Sequence, residues 1–135
     1  MERHAMSTPT PSTAPVVAIE DLNIQFTGGK KPVQAVSGVS LSVRPGEAVA
    51  LIGESGSGKS VTLRTLLRLH PERKTSMQGK VQVAGHDVLA LRERELPGFR
   101  GKTCAMIFQD PLLALDPVYP VGAQIVEAIR RHEPQ

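Results

Sequence analysis

The stretch Gly53-Glu54-Ser55-Gly56-Ser57-Gly58-Lys59-Ser60 carries the clearest chemistry in the chain. It fits G-x-x-x-x-G-K-[ST], a loop whose successive backbone N–H groups wrap a phosphate. Such a loop must curl through conformations that side chains forbid, and Gly53, Gly56 and Gly58 supply that freedom. A helix opening near Lys59 adds unpaired donors and its N-terminal partial charge. Lys59 then reaches the β- and γ-phosphates, and the Ser60 hydroxyl ligates Mg²⁺.

The pattern needs a buried strand before it and an amphipathic helix after it. Ala48–Ile52 is an unbroken apolar run, the kind a parallel sheet buries on both faces. After the loop, the stretch to about Leu69 sets Leu63, Leu66 and Leu67 on one helical face as core, and His70-Pro71 ends it. His70 reads there as an exposed cap. Upstream, Val16–Phe26 has apolar residues at 17, 19, 22, 24 and 26, a mostly alternating strand signal. Thr27–Lys31 is a turn, and Val33–Val43 is a β-branched, roughly alternating second strand. Arg44–Glu47 forms a tight turn around Pro45-Gly46.

Downstream, Gly79–Val83 is predicted as a strand, with Gly85-His86-Asp87 as a turn. Glu93–Phe99 is a weakly helical piece interrupted by Pro97-Gly98. Thr103–Phe108 is a second buried-type strand, with Cys104 as a small core residue. Gln109–Pro120 is a proline-punctuated loop. Val121–Arg131 closes as a helix with Val121, Ile125, Ala128 and Ile129 on a single apolar face. Residues 1–15, rich in Ser, Thr and Pro, read as a disordered tail, and Met6 is an alternative start.

At 135 residues, with 40% hydrophobic and 21% charged, the chain excludes collagen, coiled coil and wholesale disorder. A net charge of +3 is a mild excess, and Glu93 and Glu95 interleave with the densest basic stretch of Arg92, Arg94, Arg100 and Lys102. With one Tyr, three Phe and no Trp there is no base-stacking platform, so no nucleic-acid partner is expected. A single cysteine forms no internal disulfide and fits a reducing cytoplasm. No apolar run approaches the roughly 18 residues of a membrane span.

By itself the glycine-rich loop leaves kinases, GTPases, motor ATPases and transporter ATPases open. Residues 17–132 as a whole resemble the N-terminal half of an ATP-binding cassette (ABC) transporter ATPase. One block is Val39-Ser40-Leu41-Ser42-Val43-Arg44-Pro45-Gly46-Glu47 running into the loop, with Glu54 inside it. The other is Met106-Ile107-Phe108-Gln109-Asp110-Pro111, then Leu115-Asp116-Pro117 and Val121-Gly122-Ala123-Gln124-Ile125, which is similar to the Q-loop region of the oligopeptide, dipeptide and nickel importer branch. Asp116 stands where that branch usually has Asn, and His132, shortly after the last helix, also suits it.

The resemblance implies an α/β fold: a P-loop NTPase core with an N-terminal antiparallel β-subdomain, incomplete, over residues 16–135. It implies an energy-coupling ATPase of a peptide or nickel importer, with ATP and Mg²⁺ as cofactors. Phe26 is implied to stack on adenine, and Gly53, Glu54, Ser55, Gly56, Ser57, Gly58, Lys59, Ser60 and Val61 to hold the nucleotide. Lys59 and Gln109 are implied in catalysis, Ser60 and Gln109 at the metal. The loop at about 109–119 would sense the γ-phosphate through Gln109 and, over 110–119, meet transmembrane permease subunits. Tyr119 is a possible interface anchor. A second ATPase subunit would pair with the full-length protein, peripheral on the cytoplasmic face of the plasma membrane. No signature loop, Asp-Glu strand or switch histidine of that family lies within these residues, so the chain alone is expected to be catalytically inert, and a truncated nucleotide-binding remnant is the alternative reading. Another P-loop enzyme, such as a small-molecule kinase, is the third.

Overall fold

The computed structural model describes residues 14–109 and 114–133. Most of the expected tail, residues 1–13, and residues 110–113 of the expected loop lie outside these.

The framework is a four-stranded antiparallel sheet in the order β2-β1-β3-β4. β1 (Val17–Phe26) and β2 (Val33–Val43) form a hairpin whose register runs from Val17 opposite Val43 to Phe26 opposite Val33. β3 (Thr75–Val83) lies on the other side of β1, with Val17 opposite Val83 and Phe26 opposite Thr75. β4 (His86–Asp87) folds back on β3 through a tight turn at 84–85. β3 is therefore longer than Gly79–Val83, and His86-Asp87 belongs to a strand rather than a turn. β1 has two paired neighbours, so every apolar residue on its inner face has packing partners from both sides.

That inner face changes parity along β1, which explains the imperfect alternation. Ile19 is buried, and so are Leu22 and Ile24, although a strict period of two would put 19 and 22 on opposite faces. A bulge between Glu20 and Asn23 absorbs the extra residue. Asp21 sits there at φ 46°, its N–H donating to Ser40 Oγ at 2.9 Å, and Asn23 Nδ2 donating back to its carbonyl at 2.9 Å. Gly79, opposite, has φ +104°, and a Cβ on it would lie 2.4 Å from the Asp21 carbonyl oxygen, so only glycine fits. The bulge turns Leu22 and Ile24 inward. The core they join contains Ile19, Val36, Val81, Val83, Val88 and Phe99.

α1 (Lys59–Thr65) packs beside β2 and is shorter than the expected helix. Its last helical residue is Thr65, and the turn at 66–68, not His70-Pro71, closes it. Arg68 is left-handed at φ 49°, with its N–H bonded to Thr65 O and the Leu69 N–H to Arg64 O, the paired closure that stops a helix. Two guanidinium groups hold this non-glycine turn. Arg68 donates to Leu91 O and Glu72, and Arg100 donates to Leu67 O at 2.8 Å and to Arg68 O at 2.6 Å. Cations on the last carbonyls of a helix are favourable. The buried face is also a correction. Thr62 and Thr65 point inward, each hydroxyl satisfied by the carbonyl four residues back, whereas of the three leucines Leu67 is buried, Leu66 packs part-buried against the core and Leu63 is 43% exposed.

Glu93–Glu95 is a 3-10 turn running directly into α2 (Leu96–Phe99). Pro97 does not interrupt it, because it falls in the first turn, where the missing N–H has no partner to lose. Arg92 caps the turn through Glu95, with guanidinium bonds of 2.7 and 3.0 Å, and this pairing holds the Glu95 carboxyl down at about 2. α3 (Val121–His132) forms one residue beyond its expected end, so His132 closes the helix rather than following it.

The two apolar runs expected as buried parallel strands are not strands. Ala48–Ile52 and Ala105–Phe108 make no ladder, and Cys104 has only an isolated bridge to Arg100. Ile52 is 94% and Ile107 99% exposed. An apolar run becomes a buried strand only when neighbours supply a ladder on its sides, and no described residue does so here. The α3 stripe is likewise uncovered, with Val121, Ile125 and Ile129 all about half exposed.

Candidate functional site

The glycine-rich loop folds as a curl closed by its own lysine. Gly56 and Gly58 have φ +82° and +88°, both left-handed. At Gly58 the constraint is doubled, since a Cβ there would lie 2.6 Å from the Ala35 carbonyl oxygen and 3.2 Å from Val36 Cγ2. The loop therefore presses its backbone directly onto β2. The Gly58 carbonyl accepts from both the N–H and the hydroxyl of Thr62, which starts α1 firmly.

Lys59 Nζ donates to Gly53 O at 2.8 Å, Glu54 O at 2.6 Å and Ser57 Oγ at 3.0 Å. All of its N–H donors thus have acceptors. These acceptors are neutral. Phosphate oxygens, being charged, make shorter and stronger bonds to an ammonium and are able to displace them. Among the described residues, no group of His, Cys, Asp and Glu is arranged to hold a metal ion.

A cleft of about 450 Å³ opens over the loop, within the range typical of small-molecule sites. Ser55, Gly56, Ser57, Gly58, Lys59, Ser60 and Val61 line it on one side, Phe26 at the end of β1 on another, and Gln109 closes it. Gly53 and Glu54 stand behind the lining and act through their carbonyls on Lys59. Three lining residues had no chemical signal in the sequence: Val33, Gln34 and Ala35, at the start of β2. They arrive because Phe26 pairs with Val33 and Gly58 seats on Ala35. Pairing β1 with β2 across the predicted turn was the only route to them.

Around the cleft, His70 departs from its expected role as an exposed cap. It is 8% exposed and lies edge-on to Phe26, with ring centroids 5.7 Å apart. Gln124 in α3 organises the described end of the 110–119 loop. Its Oε1 accepts from the Asp116 N–H, and its Nε2 donates to Asp116 O and Tyr119 O, each at 2.9 Å. Tyr119 is 63% exposed beside it. Residues 110–113 of the expected partner-facing loop lie outside the described part.

Cys104 packs half-buried against the core, and burial pushes its thiol pKa up. Less thiolate is present at any pH below that value. At pH 8, alkylation of Cys104 by iodoacetamide should run at least about threefold slower in the folded chain than in urea-unfolded chain. Equal rates would show that the thiol is neither shielded nor shifted.

No helix among the described residues is long and apolar enough to cross a membrane. Residues 36–128 match the family model described as ABC transporter. The chain is 44% identical over 123 residues to the probable D,D-dipeptide transport ATP-binding protein of Escherichia coli K12, covering 90% of this chain and 38% of that protein. It is 44% identical over 122 residues to the oligopeptide transport ATP-binding protein of Mycobacterium bovis, covering 90% and 20%. A putative peptide import ATP-binding protein of Brucella melitensis is 42% identical over 120 residues, covering 89% and 36%. The chain thus spans well under half the length of the relatives it matches.

Proposed function

This chain belongs to the ABC transporter family, and from that premise we propose that it is the ATP-binding, energy-coupling part of an importer that takes up peptides. The observation that carries the site is the meeting of Phe26, the 55–61 loop and Gln109 in one cleft. The peptide cargo is inferred from what the relatives are named for. Family membership removes the small-molecule kinase alternative.

In this reading Lys59 exchanges its loop acceptors for the β- and γ-phosphate oxygens, and the loop N–H groups from Ser55 to Ser60 surround the β-phosphate. Phe26 supplies a face for adenine, with Val61 beside it. Ser60 and Gln109 offer neutral oxygen donors of the hard kind that suits Mg²⁺. When bound, Mg²⁺ neutralises charge that builds on the transferring phosphoryl group. The described lining of the cleft holds no carboxylate, so Ser60 and Gln109 are the residues that would hold the metal there. Gln109 holds a water near the γ-phosphate through its amide without adding charge. Residues 110–119, set in part by Gln124, face the permease subunits, and a second ATPase subunit completes the assembly at the cytoplasmic face of the membrane.

The uncovered runs at 48–52 and 105–108 favour a companion reading, in which residues 1–135 by themselves bind nucleotide and do not turn it over. Positioning phosphates is half of phosphoryl transfer; a base that orients the attacking water is the other half, and no described lining residue is one. Titration of the 135-residue chain with Mg·ATP should give a saturable isotherm that Mg·ADP competes and free peptide does not. Phosphate release by the same preparation should match the rate without protein. Rapid Mg²⁺-dependent release would contradict the inert reading, and absence of saturable binding would contradict the site itself.

A further inference from the structure

We propose that His70 is a positioning residue for the nucleotide base, acting through Phe26. The inference rests on the reading above that Phe26 stacks on adenine. Phe26 is the last residue of β1, where the sheet gives out, and is only half-buried. One side of it lines the cleft, and its ring meets the His70 ring at an interplanar angle of 68°, an edge-to-face contact.

The His70 ring is itself held by α1. Its Nε2 lies 2.9 Å from Val61 O and 3.2 Å from Thr65 Oγ1. A carbonyl only accepts, so Nε2 carries the proton and donates to Val61 O. The fully buried Thr65 hydroxyl also donates to Val61 O, at 2.9 Å, leaving its lone pairs free to accept from the same ring nitrogen. One ring nitrogen is thereby fixed against the helix that the phosphate loop opens. Val61 belongs to both arrangements, since its carbonyl anchors His70 and the residue lines the cleft. His70 thus ties the base platform to the phosphate loop, setting the distance and tilt between the two ends of a bound nucleotide.

The test is a mutant cycle on the whole 135-residue chain, with Mg·ATP and base-free Mg·tripolyphosphate as probes. His70→Gln keeps a donor for Val61 O and removes the ring; Phe26→Ala removes the platform. Each should weaken Mg·ATP binding about three- to tenfold, and the double variant should be no weaker than Phe26→Ala alone. Tripolyphosphate affinity should stay unchanged throughout. Additive losses, or lost tripolyphosphate affinity in His70→Gln, would overturn the inference. If Phe26→Ala weakens Mg·ATP while His70→Gln does not, the His70 role fails and base stacking on Phe26 stands. If Phe26→Ala leaves Mg·ATP affinity untouched, the stacking reading fails and takes the inference with it. His70→Phe keeps a ring against Phe26 but cannot donate to Val61 O, so it too should weaken Mg·ATP binding at least about threefold; a folded His70→Phe that binds like the parent chain would overturn the tie through Val61 O. In the unmutated chain, ring-to-ring nuclear Overhauser contacts between His70 and Phe26 should persist when Mg·ATP is bound, and their loss on binding would also overturn it.

Discussion

Lys59→Ala should weaken Mg·ATP binding about a hundredfold or more while the chain stays folded. The ammonium sits at the mouth of the cleft with its donors parked on Gly53 O, Glu54 O and Ser57 Oγ. In the proposed reading those donors move on binding to charged phosphate oxygens, where each bond is worth about 1.5–3 kcal/mol, so losing two of them should remove at least two decades of affinity. Stability has little at stake, because the loop carbonyls released by the substitution lie in an exposed loop and are free to take water. The melting temperature should move by no more than about 4 °C. Lys59→Arg should fail as well, because a planar guanidinium does not fit a curl closed around a compact ammonium. Calorimetry on the three chains is the check. Unchanged affinity in Lys59→Ala would remove the phosphate-loop assignment.

Gly58→Ala should damage both the fold and the site. The backbone there is left-handed at φ +88°, which costs any residue with a Cβ about 1–2 kcal/mol. The new methyl would also meet the Ala35 carbonyl at 2.6 Å. Both partners are backbone, so relief requires moving the loop off β2 rather than rotating a side chain. The combined loss should be about 3 kcal/mol, roughly 10 °C in melting temperature, with Mg·ATP affinity falling at least about tenfold as the loop shifts. Gly56→Ala is the matched control. It is left-handed at φ +82°, but nothing lies within 4 Å of its Cβ position, so it should lose only about 1 kcal/mol. Equal stability losses in the two variants would show that the contact with β2 contributes nothing.

Much of this arrangement is legible in the residues, and the failures share a cause. The hairpin of β1 and β2 follows from local alternation and turn chemistry, which do not depend on distant parts of the chain. The curl of the loop is legible because its glycine spacing anticipates the left-handed backbone that Gly56 and Gly58 adopt. Single-residue adjustments are harder to read. The bulge at Asp21 shows only as a parity slip between Ile19 and Leu22, and nothing in the residues says which strand absorbs it. The end of α1 turns on Arg68 adopting a conformation that arginine rarely takes, made tolerable by Leu91 O and Glu72 far away or on the next turn.

The inward face of α1 departs from the hydropathy pattern for a related reason. Leucines signal burial by hydropathy, yet Thr62 and Thr65 go inside because each hydroxyl bonds its own helix and leaves only a methyl to pack. His70 goes inside on the same terms, with Val61 O and Thr65 Oγ1 as partners. Ala48–Ile52 and Ala105–Phe108 illustrate the opposite limit. Their composition reports a capacity for burial, and burial needs neighbours that these residues do not find among the described part of the chain.

In the proposed function one cleft, bounded by Phe26, the 55–61 loop and Gln109, takes the nucleotide. A titration of isotopically labelled chain with Mg·ATP, followed by amide resonance shifts, locates binding residue by residue. The backbone amides of Gly56–Ser60 and Gln109 should shift together along one saturable curve. Saturable shifts centred instead on Arg68–Lys74, which line a separate cleft with Glu93 and Arg100, would contradict the account.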